Sequence, residues 1–166
     1  MLIFLIGMMG SGKTIVGKHL SDSLGYKFID TDDQIELNKG MSITEIIHEF
    51  GIEKFREYEI VTLKKTKLPF NTVISTGGGI ILNSENRQFM KKNGVVVYLK
   101  TSVKVIENRL TKADLLNRPL LKTNKLFDIY QERKTYYEVA ANFTILCDDL
   151  SVEDICLNII KKLNLK

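Results

Sequence analysis

Gly7-Met8-Met9-Gly10-Ser11-Gly12-Lys13-Thr14 fits the pattern G-x-x-x-x-G-K-[ST] without a gap, and its flanks say how the chain enters and leaves it. Leu2-Ile3-Phe4-Leu5-Ile6 before it is an apolar run suited to a buried strand. Ile15, Val16, Leu20 and Leu24 after it recur at helical spacing. A strand that turns through glycines into a helix is the geometry an anionic phosphate needs. Gly7, Gly10 and Gly12 let successive backbone N–H groups point inward, and the new helix presents the positive end of its dipole. The Lys13 ammonium is expected to reach the β- and γ-phosphates of a nucleotide, and the Thr14 hydroxyl to ligate Mg²⁺.

The 166 residues suit one domain with an ample core, so residues 1–166 are read as a single unit. Charged residues make up 27% and hydrophobic ones 44%, ordinary for a soluble globular protein. The net charge of +4 suits anionic ligands. The lysines are scattered, however, and no basic stripe is interleaved with aromatic residues, so no nucleic-acid partner is expected. No stretch reaches membrane-spanning length, and the apolar N-terminus lacks a basic leader, so neither a membrane nor a secretory signal is expected. Cys147 and Cys156 stand in apolar surroundings without metal-like spacing and read as reduced packing residues of a cytoplasmic protein. Nothing asks for a partner subunit, so a monomer is expected.

Downstream, Tyr26 to Asp30 reads as a second strand ending in the acidic cluster Asp30-Thr31-Asp32-Asp33, followed by a short helix closed by Gly40. Ser42-Ile43-Thr44-Glu45 has the form of a capping box. Ile43, Ile46, Ile47 and Phe50 follow at helical spacing until Gly51 breaks the helix; a second helix carries Phe55, Ile60 and Leu63 inward. Thr72 to Ser75 is the third strand and ends in Gly77-Gly78-Gly79. A helix starts at Asn83 or Ser84, and Val95 to Leu99 is a strand buried on both faces. Thr101 or Ser102 caps the next helix. A charged segment without clear period, Lys112 to Thr123, precedes a helix over 126–141, a strand over 143–146 and a terminal helix capped by Ser151. Five strands alternating with helices predict an α/β protein, a parallel sheet covered on both faces.

Ligands of open α/β sheets bind beyond the carboxyl ends of the strands. The strands at Ser75 and Lys100 end without a carboxylate, so Asp30 is the candidate for the outer shell of the metal, through water. Asp32 is placed to orient an attacking hydroxyl or take its proton. Of the three acids, Asp33 is read as only capping the helix. The triple glycine points to a small ligand in close approach, with bare N–H groups as donors. Arg56 and Glu59 share a helical face, where an exposed ion pair is the reading spacing favours; bordering a cleft, Glu59 could instead brace Arg56 against a substrate carboxylate. Arg118, before Pro119, suits a lid residue over the phosphates. Arg109 and Arg133 lie on helices and read as surface charges.

Taken in order, G-x-x-G-x-G-K-T, F-[IL]-D-T-D, F-R-x-x-E, T-G-G-G, an L-x-x-R helix end, R-P-L-L and E-R-x-x-x-Y resemble the shikimate kinases over nearly the whole chain. The resemblance implies a P-loop kinase of the nucleoside-monophosphate-kinase type: a five-stranded parallel sheet in order 2-3-1-4-5, substrate-binding helices over about 32–62 and a mobile lid over about 112–123. It implies that ATP phosphorylates the 3-hydroxyl of shikimate, with one Mg²⁺, on the chorismate pathway to aromatic amino acids. Gly10, Ser11, Gly12, Lys13, Thr14 and Ile15 would then bind the nucleotide, with Arg109 against the adenine and Arg118 on the transferring phosphoryl group. Thr14 and, through water, Asp30 would hold Mg²⁺. Asp32, Arg56, Gly77, Gly78, Gly79 and Arg133 would bind shikimate, and Lys13, Asp32 and Arg118 would carry the catalysis. The chain departs from the family at Cys147-Asp148-Asp149-Leu150, which lacks the arginine or proline that members often place near the adenine.

Two other readings compete. Thr111-Lys112-Ala113-Asp114 and Asp22-Ser23-Leu24-Gly25 mimic guanine-nucleotide switch motifs, but one follows a helix and the other lies within one, so a GTPase is rejected. Another small-metabolite kinase, such as one acting on gluconate, has no need of two arginines aimed at one carboxylate in this arrangement, although a sugar acid carries a carboxylate too.

Overall fold

In the computed structural model, which describes residues 1–65, 69–111 and 125–165, five parallel strands form one sheet in the order β2-β3-β1-β4-β5. The central strand β1 (Leu2–Ile6) pairs with β3 (Thr72–Ser75) on one side and β4 (Val95–Lys100) on the other. β2 (Lys27–Asp30) and β5 (Phe143–Leu146) form the edges. The predicted order and the alternation of strands with helices are both observed.

Side chains alternate across a strand, so β1 alone feeds two cores. Phe4 and Ile6 face one side, with Ile74, Tyr98 and Ile106 and with Tyr137 of α6 (Leu126–Ala140). Ile3 and Leu5 face the other, with Val97, Leu99, and Val16 and Leu20 of α1 (Lys13–Leu24) and Ile155 and Ile159 of α7 (Val152–Lys162). Each such side chain is almost completely withdrawn from water, which stabilises the fold by about 1.5–3 kcal/mol apiece. A third, smaller core of Ile35, Ile46 and Phe55 joins α2 (Thr31–Lys39) to α3 (Ile43–Lys65) at the end of the sheet where β2 and β3 terminate.

Local signals set the helix boundaries. The Ser42 N–H donates to Glu45 Oε2 at 2.7 Å while the Glu45 N–H donates to Ser42 Oγ at 3.2 Å, the reciprocal pairing a capping box requires. Asn83 caps α4 (Ser84–Asn93), and Ser102 caps α5 (Val103–Arg109). Gly51, at φ 82° and ψ 165°, divides α3 into two halves. A 3₁₀ turn over Ile80–Leu82 had no sequence signal, because an apolar triplet after glycines carries no period.

Two apolar residues of the helical patterns lie outside the core, and the first of them, Ile15, is one expected at the nucleotide. Ile15 is 59% exposed: the inner face of α1 is Val16 and Leu20, which leaves Ile15 pointing into the crevice beyond β1. Phe50, next to the Gly51 break, is 48% exposed, while Ile46 one turn earlier is buried. No helix among the described residues is long and apolar enough to cross a membrane.

Candidate active site

Two adjoining cavities open at the carboxyl ends of the strands. The first, about 580 Å³, lies over the glycine loop and the start of α1, and is bounded by Lys13, Thr14, Ile15, Asp30, Arg109 and Leu150 among others. Gly10, at φ 76°, turns the loop here; a side chain at that position would also meet Ile106. Gly12 gives α1 no side-chain cap, so the first helical N–H groups face an incoming anion. Lys13 is buried, and its ammonium donates to the carbonyls of Gly7 (2.9 Å) and Met8 (2.8 Å), which holds the positive charge along the loop. Exposed Arg109, the last residue of α5, stands at the far wall.

Asp30 does two things at once. Its Oδ1 accepts the Asp32 N–H at 3.0 Å and caps α2, and its Oδ2 accepts the Thr14 hydroxyl at 2.9 Å. The capping role expected of Asp33 therefore belongs to Asp30, because α2 begins at Thr31 and Asp33 stands exposed in its first turn. Ser75 Oγ lies 3.4 Å from Thr14 Oγ1. Two hydroxyls and a carboxylate at the mouth of a phosphate loop are hard oxygen donors of the kind Mg²⁺ accepts while keeping most of its waters, so these residues fit the ion.

The second cavity, about 610 Å³, is walled by α2, both halves of α3, the triple glycine and α6. Asp32, Arg56, Glu59 and Arg133 bring charge into it, and Ile47, Ile52 and Phe55 give it an apolar side. The Arg56–Glu59 pair is not the exposed one that spacing favoured. Glu59 is 1% exposed and accepts from Arg56 Nη1 at 2.6 Å, because α3 turns this face toward the sheet. Burial pushes the Glu59 carboxyl up, against the pull of the Arg56 and Arg133 guanidinium groups. Asp32 is pushed from 3.8 to about 7, first by burial and then by the charges of Asp30 and Glu59, against the opposing pull of Lys13 and Arg56. Arg133, read from its helical position alone as a surface charge and placed by the family resemblance at the substrate, is 4% exposed on the inner face of α6.

The triple glycine serves the protein's own side chains as much as any ligand. A Cβ on Gly77 would stand 2.6 Å from Asp32 Oδ1 and 2.8 Å from Glu59 Oε1, and one on Gly79 would collide with the Arg56 guanidinium. The Gly77 N–H, expected to be bare, donates to Thr31 Oγ1 at 3.0 Å. Glycine is thus required here so that two carboxylates and a guanidinium can close over the loop.

Met9, Asp32 and Gly78 line both cavities and form the wall between them. All the sequence-predicted site residues that are described lie around this wall: Gly10, Ser11, Gly12, Lys13, Thr14, Ile15, Asp30 and Arg109 on the glycine-loop side, and Arg56, Gly77, Gly79 and Arg133 on the other. Arg118 and the lid segment lie outside the described residues. Met9 was missed because it is a free position of the motif. Ser75 was passed over as merely lacking a carboxylate.

The sequence matches the shikimate kinase family profile over residues 9–164. A shikimate kinase of Thermodesulfovibrio yellowstonii is 40% identical over 164 residues, 96% of this chain and 93% of that protein. One of Caldanaerobacter subterraneus subsp. tengcongensis is 37% identical over 163 residues, 96% and 94% of the two chains. Among solved structures, the shikimate kinase from Acinetobacter baumannii in complex with shikimate superposes with a TM-score of 0.92 at 36% identity, over 98% of this chain and 92% of that one. The APS kinase of Mycobacterium tuberculosis, with a TM-score of 0.64 and 14% identity, shares the fold alone. With its glycine loop, its sheet order and these relatives in agreement, the chain belongs to the shikimate kinase family.

Proposed function

We infer that this protein transfers the γ-phosphoryl group of ATP to the 3-hydroxyl of shikimate, giving shikimate 3-phosphate and ADP, a step of the chorismate pathway. The observation that carries the reading is the position of Asp32. It stands in the wall between a phosphate-binding cavity and a cavity that holds two arginines, where an acceptor hydroxyl and a nucleotide tail must meet. Arg56 and Arg133 suit the carboxylate of the acceptor, and Glu59 keeps the Arg56 fork from turning away. Asp32 then holds the hydroxyl in line and accepts its proton, a task suited to a carboxyl raised to about 7.

On the nucleotide side, Lys13 and the loop N–H groups neutralise the phosphate tail, while Ile15 and Arg109 flank the rest of the nucleotide. Thr14 would hold Mg²⁺ directly and Asp30 through water. When bound, Mg²⁺ would supply positive charge against that developing on the phosphoryl group. The family resemblance alone gives Arg118 to the transferring phosphoryl group. A site built wholly from one chain supports action as a monomer, and two buried free cysteines support a reducing, cytoplasmic setting.

The test is ADP release by the purified protein, compared with shikimate, with gluconate and with no acceptor. Shikimate should stimulate release far above the other two. Faster release with gluconate would assign the cavity to a sugar acid instead.

A further inference from the structure

Tyr137 closes the E-R-x-x-x-Y stretch, and the reaction as described leaves it without work. It is wholly buried on α6, one turn beyond Arg133. Its ring stacks on Tyr98 with 5.0 Å between centroids and 14° between planes. Its hydroxyl donates to the Gly78 carbonyl at 2.5 Å and stands 3.6 Å from Met8 Sδ in the phosphate loop. A phenol has one proton to give, and Gly78 takes it. Arg133, one turn back on the same helix, is close enough for its charge to act on this hydroxyl, and its Nε is buried without a hydrogen-bond partner among the described residues.

Gly78 is no ordinary acceptor. It belongs to the wall between the cavities, and a Cβ there would stand 3.2 Å from the Met9 nitrogen and 3.5 Å from the Gly7 carbonyl oxygen. Its backbone therefore lies flat against the phosphate loop. One buried hydroxyl thus touches the dividing wall and the phosphate loop together, with an arginine of the acceptor cavity beside it on the same helix. Packing needs only the ring, since a phenylalanine would keep the stack and the apolar burial. The oxygen has a separate purpose.

We propose that Tyr137 is a positioning residue for phosphoryl transfer, its hydroxyl fixing where Arg133 holds the acceptor relative to the phosphate loop across Gly78. It touches neither substrate and acts through Arg133 and Gly78. The proposal rests on the shikimate reading above, and its test separates the two.

Wild type, Tyr137→Phe and Tyr98→Phe are compared in the ADP-release assay, with shikimate 3-phosphate measured alongside. Tyr137→Phe should raise the KM for shikimate about tenfold and lower kcat, because the buried Gly78 carbonyl loses its partner and Arg133 loses the polar group beside it. Its KM for ATP and its melting temperature should stay close to wild type. Tyr98→Phe removes a hydroxyl from the same stack but none aimed at Gly78, and should leave both KM values unchanged. In an Arg133→Lys background, Tyr137→Phe should cost far less than it does alone, as members of one unit do. An unchanged KM for shikimate in Tyr137→Phe, or equal rises for both substrates, would overturn the proposal. A wild type that makes no shikimate 3-phosphate would overturn the functional reading and the proposal with it. Should Tyr137→Phe fail to fold, 3-fluorotyrosine placed at position 137 alone supplies the answer: its ¹⁹F resonance should move on adding shikimate and, separately, on adding ADP. A resonance indifferent to shikimate would overturn the proposal.

Discussion

Asp32 stands where a charge is costly. Desolvation, Asp30 and Glu59 all oppose its ionisation, and its Oδ1 has no hydrogen-bond partner among the described residues. The folded protein therefore prefers it protonated. The resulting penalty is absent below the ordinary carboxylate range, grows as the pH rises from 3.8 towards about 7, and is constant above that. Asp32→Asn should accordingly melt at a higher temperature than wild type at pH 8, with the gap closing as the pH falls to 4; a scan of melting temperature against pH checks this. Activity should run the other way. In wild type kcat/KM for shikimate should rise with an apparent midpoint near pH 7 as Asp32 loses its proton, and in Asp32→Asn both the rise and nearly all turnover should vanish. Arg56→Lys probes the neighbouring cation. An ammonium cannot keep the planar fork that meets both Glu59 and a substrate carboxylate, so calorimetry should show shikimate binding weakened about tenfold or more, with ATP binding nearly unchanged.

Among the elements, α3 does most to shape the acceptor cavity. Its first half contributes Ile43 and Ile47, its second Ile52, Phe55, Arg56 and Glu59, and Gly51 sets the angle between them. Positive φ with ψ near 165° is a region that only glycine enters without strain. Gly51→Ala should cost about 1–3 kcal/mol by urea titration. It should also raise the KM for shikimate more than that for ATP, since the nucleotide cavity has no wall from α3. The break at Gly51 and the capping box at Ser42 were both legible, because each is written in neighbouring residues. The angle across the break was not, and neither was the burial of Glu59, because both depend on α3 packing against a sheet formed elsewhere in the chain.

At the scale of the molecule, the sheet brings the ends of β1, β2 and β3 to one edge and thereby joins a phosphate cavity to an acceptor cavity through a wall of three residues. Two separate cavities imply that each ligand stabilises the fold by itself. At a hundredfold excess over its dissociation constant, shikimate or a non-hydrolysable ATP analogue should each raise the melting temperature by roughly 5–10 °C, as expected for a domain of this size. Thermal-shift measurements with each ligand alone check this; no shift with shikimate would count against the acceptor cavity.

The sequence by itself determined the phosphate loop, the helix caps at Ser42, Asn83, Ser102 and Ser151, the strand order through its family resemblance, and the identity of nearly every charged residue around the cavities. Those features rest on contiguous residues: glycines where φ is positive, a hydroxyl or carboxylate at a helix start, an apolar run long enough for a buried strand. Tertiary structure alone decided that Asp32 and Glu59 close over Gly77, that Asp30 caps one helix while holding Thr14 of another, and that the Tyr137 hydroxyl reaches Gly78. These contacts join residues far apart along the chain, and only the packing of helices on the sheet brings such groups within a hydrogen bond of one another.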